Sequence, residues 1–382
     1  MIDSWKLIYV CVILACMIIS IISFLLVLSV LILIHEAGHF FAARRFGIWV
    51  EEFGLGLPPR AFGKKRGSTI YSLNWLPFGG FVRLHGESSE ETISNPKVAF
   101  LNKSKKVRTL VIAAGVVMNL ILGIVAFAVV YSFTGIPRDI GHVRILGSAE
   151  GSPAAAAGLK ENDIVREVDG IKIVKNDEFI KLIDEQRGKE TVLKIERDGK
   201  LAEVKVTPRV SPPEGEGALG VGITSSEIYY PPVWQRPFLG VYYGFGEAIF
   251  WGKAVLSGLG SMIRDLTGGH IPRDIAGPIG IFNITSEIAS LGILPLINFA
   301  GILSVNLAVI NILPFPALDG GRLVFVVFEA ITRRRVTPRV EAAIHGVGMA
   351  VLLSLVLVIS FFDIKRLAEF DRLPAFLMQF FK

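Results

Sequence analysis

Residues 7–39 read LIYVCVILACMIISIISFLLVLSVLILIHEAGH. The first 28, Leu7 to Ile34, carry no charge, and His35-Glu36-Ala37-Gly38-His39 follows without a break. About 20 apolar residues suffice for a helix to cross a bilayer, so the stretch predicts a membrane span with a chemical motif at its end. Two imidazoles four residues apart share one helix face, the spacing for two ligands of one Zn²⁺. The glutamate between them is placed to act as general base on a zinc-bound water. Ionisable groups at membrane depth are costly and mark function. The stretch therefore implies hydrolytic metal chemistry within or beside a membrane. At 1.5 Å per residue the uncharged run extends roughly 42 Å against a core of roughly 30 Å, so it must tilt, break or project.

The rest of the chain has the composition of a multi-pass protein. Mean hydropathy is +0.55 and only 19% of the 382 residues are charged, too few for a soluble protein of this length. The net charge of +6 is unevenly placed. Residues 41–110 hold 12 Lys/Arg against 5 Asp/Glu, whereas residues 132–235 hold 14 against 17. That pattern fits the positive-inside rule and excludes a polyanionic ligand such as nucleic acid. Cys11 and Cys16, both in the first apolar run, allow neither a disulfide framework nor a Cys-rich zinc site. With no basic n-region and no A-x-A-like cleavage site, the N-terminus reads as an uncleaved span.

The chain divides into a first transmembrane segment with HEAGH (1–46), a cytoplasmic loop (47–108), a second span (109–133) and a polar domain (138–230). A linker (231–291), a broken third span (292–330), a basic cytoplasmic loop (331–341) and a fourth span with C-terminal tail (342–382) complete it. Basic clusters at 44–45, 64–66, 103–108 and 333–339 share one side, so both termini and the polar domain are expected outside the cytoplasm. In the polar domain a helix is expected over Asn176 to Gln186, and a hairpin turns at Asp198-Gly199. For Phe238 to Leu266 two readings stay open, an interfacial amphipathic helix and a connecting segment resting on the membrane.

Two histidines do not complete a catalytic zinc site, which usually has three protein ligands and an open position. Asp319 is the natural third. It lies in an apolar segment where an unpaired carboxylate is expensive and Zn²⁺ would neutralise it. Pro314 and Pro316 forbid a regular helix before it, and Gly320-Gly321 let the backbone turn. Broken backbone at membrane depth must be buried in protein or line a cavity. His85, His142, His270 and His345 lack a partner at ligand spacing and read as non-ligands.

Taken together, HEAGH, Asn311-Ile312-Leu313-Pro314-Phe315-Pro316-Ala317-Leu318-Asp319-Gly320-Gly321, Gly115-Val116-Val117-Met118-Asn119, the stretch Gly79 to Glu87 and Gly277-Pro278-Ile279-Gly280 stand in a recognisable order. The chain resembles the site-2 protease family of intramembrane zinc metalloproteases, in its bacterial regulator-of-sigma-E-protease-like group. The resemblance implies a mainly α-helical polytopic membrane protein with four transmembrane segments, a membrane-associated β-hairpin around Gly79 to Glu87, and an inserted α+β PDZ domain over 138–230. It implies Zn²⁺ held by His35, His39 and Asp319, with Glu36 as base. Gly79, Gly80, Phe81, Val82 and Arg83 are expected to offer a strand edge that holds substrate extended, because a helical span hides its peptide bonds. Asn311 is a candidate for holding substrate backbone or the developing oxyanion. Asn119 and Asn306 suit helix–helix hydrogen bonds equally well.

The implied substrates are single-span membrane proteins, such as pretrimmed anti-sigma factors or remnant signal peptides, cut in regulated intramembrane proteolysis in a bacterial cytoplasmic membrane. The PDZ domain is expected to dock or exclude substrate ectodomains. Two features depart from the best-known members: there is room for a single PDZ domain, and Glu161-Asn162-Asp163 replaces the usual Pro-Gly-Asp turn. A secondary transporter also uses broken helices with intramembrane Asn and Asp, but HEAGH and the lack of an inverted repeat oppose that reading. A dead scaffold is opposed by the intact ligands and Glu36.

Overall fold

A computed structural model describes residues 4–87, 93–213, 215–268 and 276–369. His270 and the tail beyond Glu369 lie outside the described residues, as do the side chains of Cys11 and Cys16. The chain forms two units, Met1–Tyr131 with Pro237–Lys382, and Ser132–Arg236.

The first unit is built on α1 (Ser4–Arg45), α2 (Lys105–Thr134), α5 (Arg236–Thr267), α6 (Pro278–Ser290), α7 (Ile293–Ile312), α8 (Asp319–Thr332) and α9 (Pro338–Glu369). Among the described residues, four helical stretches are long and apolar enough to cross a membrane: Met17–Arg45, Lys105–Thr134, Ile293–Ile312 and Arg339–Arg366. The protein is thus a membrane protein, largely helical. Small residues let the spans approach closely. A Cβ built on Gly38 of α1 would lie 2.9 Å from Gly115 Cα of α2, and one on Gly123 of α2 would lie 2.7 Å from Val305 of α7. Polar side chains tie the spans further. Ser304 Oγ donates to the Asn119 carbonyl (2.7 Å), and the Asp363 carboxylate of α9 accepts the Gly280 N–H in the first turn of α6 (2.9 Å).

The third apolar region is broken into two helices. Leu313 leaves the helical conformation, Pro314 and Pro316 deny backbone donors, and α8 begins afresh at Asp319. Residues 236–267, for which two readings stood open, form one helix that packs on its neighbours. Ala248 and Trp251 of α5 join Phe127 of α2 and Val305 of α7 in one apolar cluster, and Tyr131 donates to Glu247 (2.9 Å).

Between α1 and α2 stand β1 (Val50–Arg66) and β2 (Thr69–Leu84), an antiparallel pair. The turn falls at Gly67-Ser68, so Gly79 to Arg83 lies at the far end of β2 and is no hairpin tip. Both strands double back: Glu52 pairs with Ile70 and also with Arg83, while Lys65 pairs with Ile70. The order across the sheet is therefore 80–84, 50–55, 69–74, 60–66. Residues 80–84 form an edge, paired on one side by β1 and by no other strand among the described residues. Phe40 of α1 anchors this sheet through Phe53 and Tyr71.

In the second unit β3 (Ile136–Ser148), β4 (Ile164–Val168), β6 (Thr191–Arg197), β7 (Lys200–Val206) and β8 (Val221–Tyr229) form a sheet in the order β7-β6-β4-β3-β8. The short β5 (Ile171–Lys172) pairs with β4. Helices α3 (Pro153–Ala156) and α4 (Asn176–Glu185) complete it. Alternation in β6 turns Leu193 and Ile195 inward, onto Val143, Val165, Phe179 and Ile183. Asp163 is 1% exposed and accepts both Arg197 Nε (2.7 Å) and the Lys160 N–H (2.8 Å). Burial works against this carboxylate, but the Arg197 fork and the Lys160 amide hold it below the usual carboxylate range.

Candidate metal centre

One turn of α1 sets His35 and His39 side by side, and the first residue of α8 meets them. Asp319 Oδ2 lies 3.0 Å from His35 Nε2 and 3.4 Å from His39 Nε2, and the two Nε2 atoms are 3.2 Å apart. Tetrahedral zinc with N and O ligands at about 2.0–2.2 Å spaces its ligand atoms roughly 3.3–3.5 Å apart. The donor chemistry agrees. His39 Nδ1 is 2.9 Å from the Val111 carbonyl, which can only accept, so Nδ1 carries the proton and Nε2 turns a lone pair inward. Asp319 Oδ2 is buried without a hydrogen-bond donor. Lone pairs converging in this way repel unless a cation sits among them, and the residues present fit zinc.

Helix α2 supplies the support. A Cβ on Gly115 would lie 2.8 Å from His35 Cε1 and would strike the His39 ring harder still, so glycine leaves room for both imidazoles. Asn119 is fully buried, with its amide Nδ2 at 3.3 Å from His35 Nδ1 and its Oδ1 without a partner. Half a turn of that amide offers oxygen in place of nitrogen, so Asn119 can hold either tautomer of His35. Its backbone carbonyl also accepts Ser304, a helix–helix contact that does not depend on the asparagine side chain.

The cavity beside the cluster has a volume of about 240 Å³. His35, Glu36, His39 and Asp319 line it together with Phe81, Val82 and Leu84 of the edge strand, and with Glu87 and Arg322. Gly80 backs onto α1, where a Cβ would lie 3.5 Å from Glu36 Cγ. The structure thus brings the edge strand, Glu36 and the three ligand residues to one cavity. Asn311, in the last turn of α7, is not among the residues that line it.

Sequence reasoning passed over His345. It is no ligand, yet its Nδ1 accepts the Ala317 N–H (2.9 Å), two residues before Asp319. Ala317 has φ of +75°, a strained setting for a residue with a side chain. No signal in the sequence links positions 28 apart on separate elements. His85, in the turn that follows β2, is buried, hydrogen-bonded to Glu51 (2.7 Å) and packed on Trp49.

Compared with known proteins, residues 23–355 match the model of Peptidase family M50. The chain belongs to that family. Its members include the site-2 proteases, and several relatives are named as zinc metalloproteases. The zinc metalloprotease RasP of Geobacillus kaustophilus is 30% identical, over 91% of this chain and 98% of its own. A putative zinc metalloprotease of Clostridium perfringens is 33% identical (89% and 97%). The regulator of sigma-W protease RasP of Bacillus subtilis is 29% identical (91% and 99%). This M50 peptidase is accordingly a membrane zinc metalloprotease. Among solved structures, a segment is similar to the PDZ domain of an SdrC-like protein from Listeria innocua, 24% identical, covering 23% of this chain and 99% of that one, with a TM-score of 0.20.

Proposed function

We propose that this peptidase cuts single-span membrane proteins in or near their spans, using Glu36 as base and His35, His39 and Asp319 as ligands. The observation that carries the reading is the convergence of three inward-turned ligand atoms with Glu36 in one cavity, at the end of a helix long enough to cross the bilayer. Zinc, when bound, polarises the scissile carbonyl and makes water acidic enough to attack at neutral pH. Glu36 takes the proton from the attacking water and delivers it to the leaving nitrogen. The edge at Gly80, Phe81, Val82 and Arg83, with Gly79 easing the chain into it, pairs with the main chain of an unwound span. Asn311 is held back from this reading, because the cavity lies elsewhere.

Both termini and the second unit are read as lying outside the cytoplasm of a bacterial inner membrane, a reading supported by the basic clusters. The second unit is read as a PDZ domain that docks or excludes substrate ectodomains. Its β8 is an edge strand with α4 alongside, an arrangement suited to an added peptide strand. The name of the Bacillus relative supports a substrate that governs a sigma factor.

Glu36→Gln tests the chemistry. The variant should keep one zinc per chain while cleavage of a single-span model protein falls by roughly 10²–10⁴. Wild-type cleavage by the zinc-loaded variant would remove Glu36 from the mechanism. Labelling a cysteine at Lys65, with Cys11 and Cys16 replaced, tests the orientation. The expected result is protection from impermeant reagent in intact cells.

A further inference from the structure

An ion pair crosses the cavity wall between two elements that sequence motifs treat separately. Arg322 follows Asp319 by three residues in the first turn of α8, and so projects from the same helix face. Its Nη1 meets Oε1 of Glu87, three residues beyond the end of β2. The other oxygen of Glu87 accepts the Leu84 N–H (3.2 Å). One carboxylate therefore closes off the edge strand and also grips the helix that carries Asp319, across 235 residues of chain. Both side chains line the cavity with Phe81, Val82 and Leu84.

The geometry matters because the two elements have no regular structure in common. The edge strand belongs to a sheet anchored on α1, and Asp319 begins a helix that restarts after a break. A peptide held by the strand reaches Glu36 and the ligand cluster at a place set by how far the strand is slid along α8. Residues on a strand repeat every ~3.3 Å, so a slip of one residue presents a different bond. Apolar packing of Leu84 near Leu323 and Val326 tolerates sliding. A charge-assisted hydrogen bond from the guanidinium to a carboxylate that is itself held by the Leu84 N–H fixes the distance between strand and helix.

We propose that the Glu87–Arg322 pair is the tether that registers the edge strand against the metal-bearing helix, making both positioning residues for peptide hydrolysis. This inference rests on the proposal that the strand holds substrate. If it is right, breaking the tether lowers kcat and scatters the cut site, while zinc content and KM change little.

The test uses the full chain in lipid nanodiscs with a fluorescently tagged single-span model protein. Glu87→Arg, Arg322→Glu, their charge-swapped double variant and the milder Glu87→Gln are compared. Zinc content, kcat, KM and the cut position by mass spectrometry are read for each. A photo-crosslinking residue at Arg83 reports independently whether substrate lies along the strand. Each charge reversal should lower kcat roughly ten- to a hundredfold and spread the cuts over neighbouring bonds. The swapped pair should recover part of both, short of wild type because arginine at position 87 offers the Leu84 N–H no acceptor. Glu87→Gln, which keeps shape and the Leu84 contact, should show the same defect in weaker form. Wild-type kcat and cut site in Glu87→Gln, or no rescue by a folded, zinc-loaded double variant, overturns the tether. Absence of the Arg83 crosslink in the wild type overturns strand capture instead, so the two failures are told apart.

Discussion

Two segments deliver the candidate metal ligands, and they do so by opposite means. Helix α1 carries His35 and His39 on an unbroken helix, where the spacing alone puts them on one face. Asp319 arrives from a chain that leaves α7 at Leu313, runs through two prolines and a residue with positive φ, and only then resumes as a helix. Regular structure carries its own geometry. Irregular backbone has to be held from outside, here by the His345 ring on the Ala317 N–H and by Gly348, where a Cβ would lie 2.7 Å from the Pro316 carbonyl carbon. A ligand on a helix needs clearance; a ligand after a break needs support.

The largest expected effect breaks the clearance side. Gly115→Ala drives a methyl into both imidazole rings, neither of which can yield, because Val111 and Asn119 hold them from behind. Zinc dissociation constants, measured by competition with a chromogenic chelator, should rise about a hundredfold. Near-native affinity in that variant would mean that α1 and α2 can part, and the contrast between the segments would lose its basis.

Next in size is the support side. His345→Ala leaves the Ala317 N–H without its acceptor, a loss of about 0.5–1.5 kcal/mol at a partly buried site. Through the position of Asp319, zinc affinity should fall about tenfold. His345→Asn, which retains an acceptor on a shorter side chain, should recover part of it. Equal losses for His345→Ala and Gly115→Ala would show that both segments depend on outside support alike.

The smallest effect on the metal is expected from the second unit, which serves as control. Asp163→Asn should cost that unit about 1.5–3 kcal/mol, read by hydrogen exchange of the β3 and β6 amides in the full chain, with zinc content unchanged. Because the folded carboxylate is held below the ordinary aspartate value of 3.8, its contribution is present above that pH. It is lost as pH falls through the lower, folded value. Exchange in the wild type should therefore quicken below about pH 4, and the variant should lack that step.

Legibility followed the same division. The spans were readable because hydropathy and length decide them, and His35, Glu36 and His39 because helical periodicity does. Asp319 was readable because a carboxylate between prolines and glycines in an apolar segment demands a partner. The doubled course of β1 and β2 was not, since alternation names strands without saying which neighbour each half will take; the turn at Gly67-Ser68 was passed over for the glycines at 79–80. His345 and the Glu87–Arg322 pair were invisible for a related reason. Each joins elements far apart in sequence, and no periodicity reaches across a break. The packing of α5 through Gly244, Ala248 and Trp251 likewise depends on which partners are present, although the helix itself is implicit in its pattern.

The edge at Gly80 to Arg83 presents main-chain amides and carbonyls, groups that every polypeptide carries. A surface of that kind cannot tell one sequence from another. It also resembles the exposed edges that soluble proteins blunt with charge or proline to avoid sticking to strangers. An enzyme that keeps such an edge open must discriminate by other means, by admitting few chains to the cavity and by favouring those whose spans come apart easily. Its preferences should then track the ease of unwinding a stretch of helix more closely than any motif at the cut.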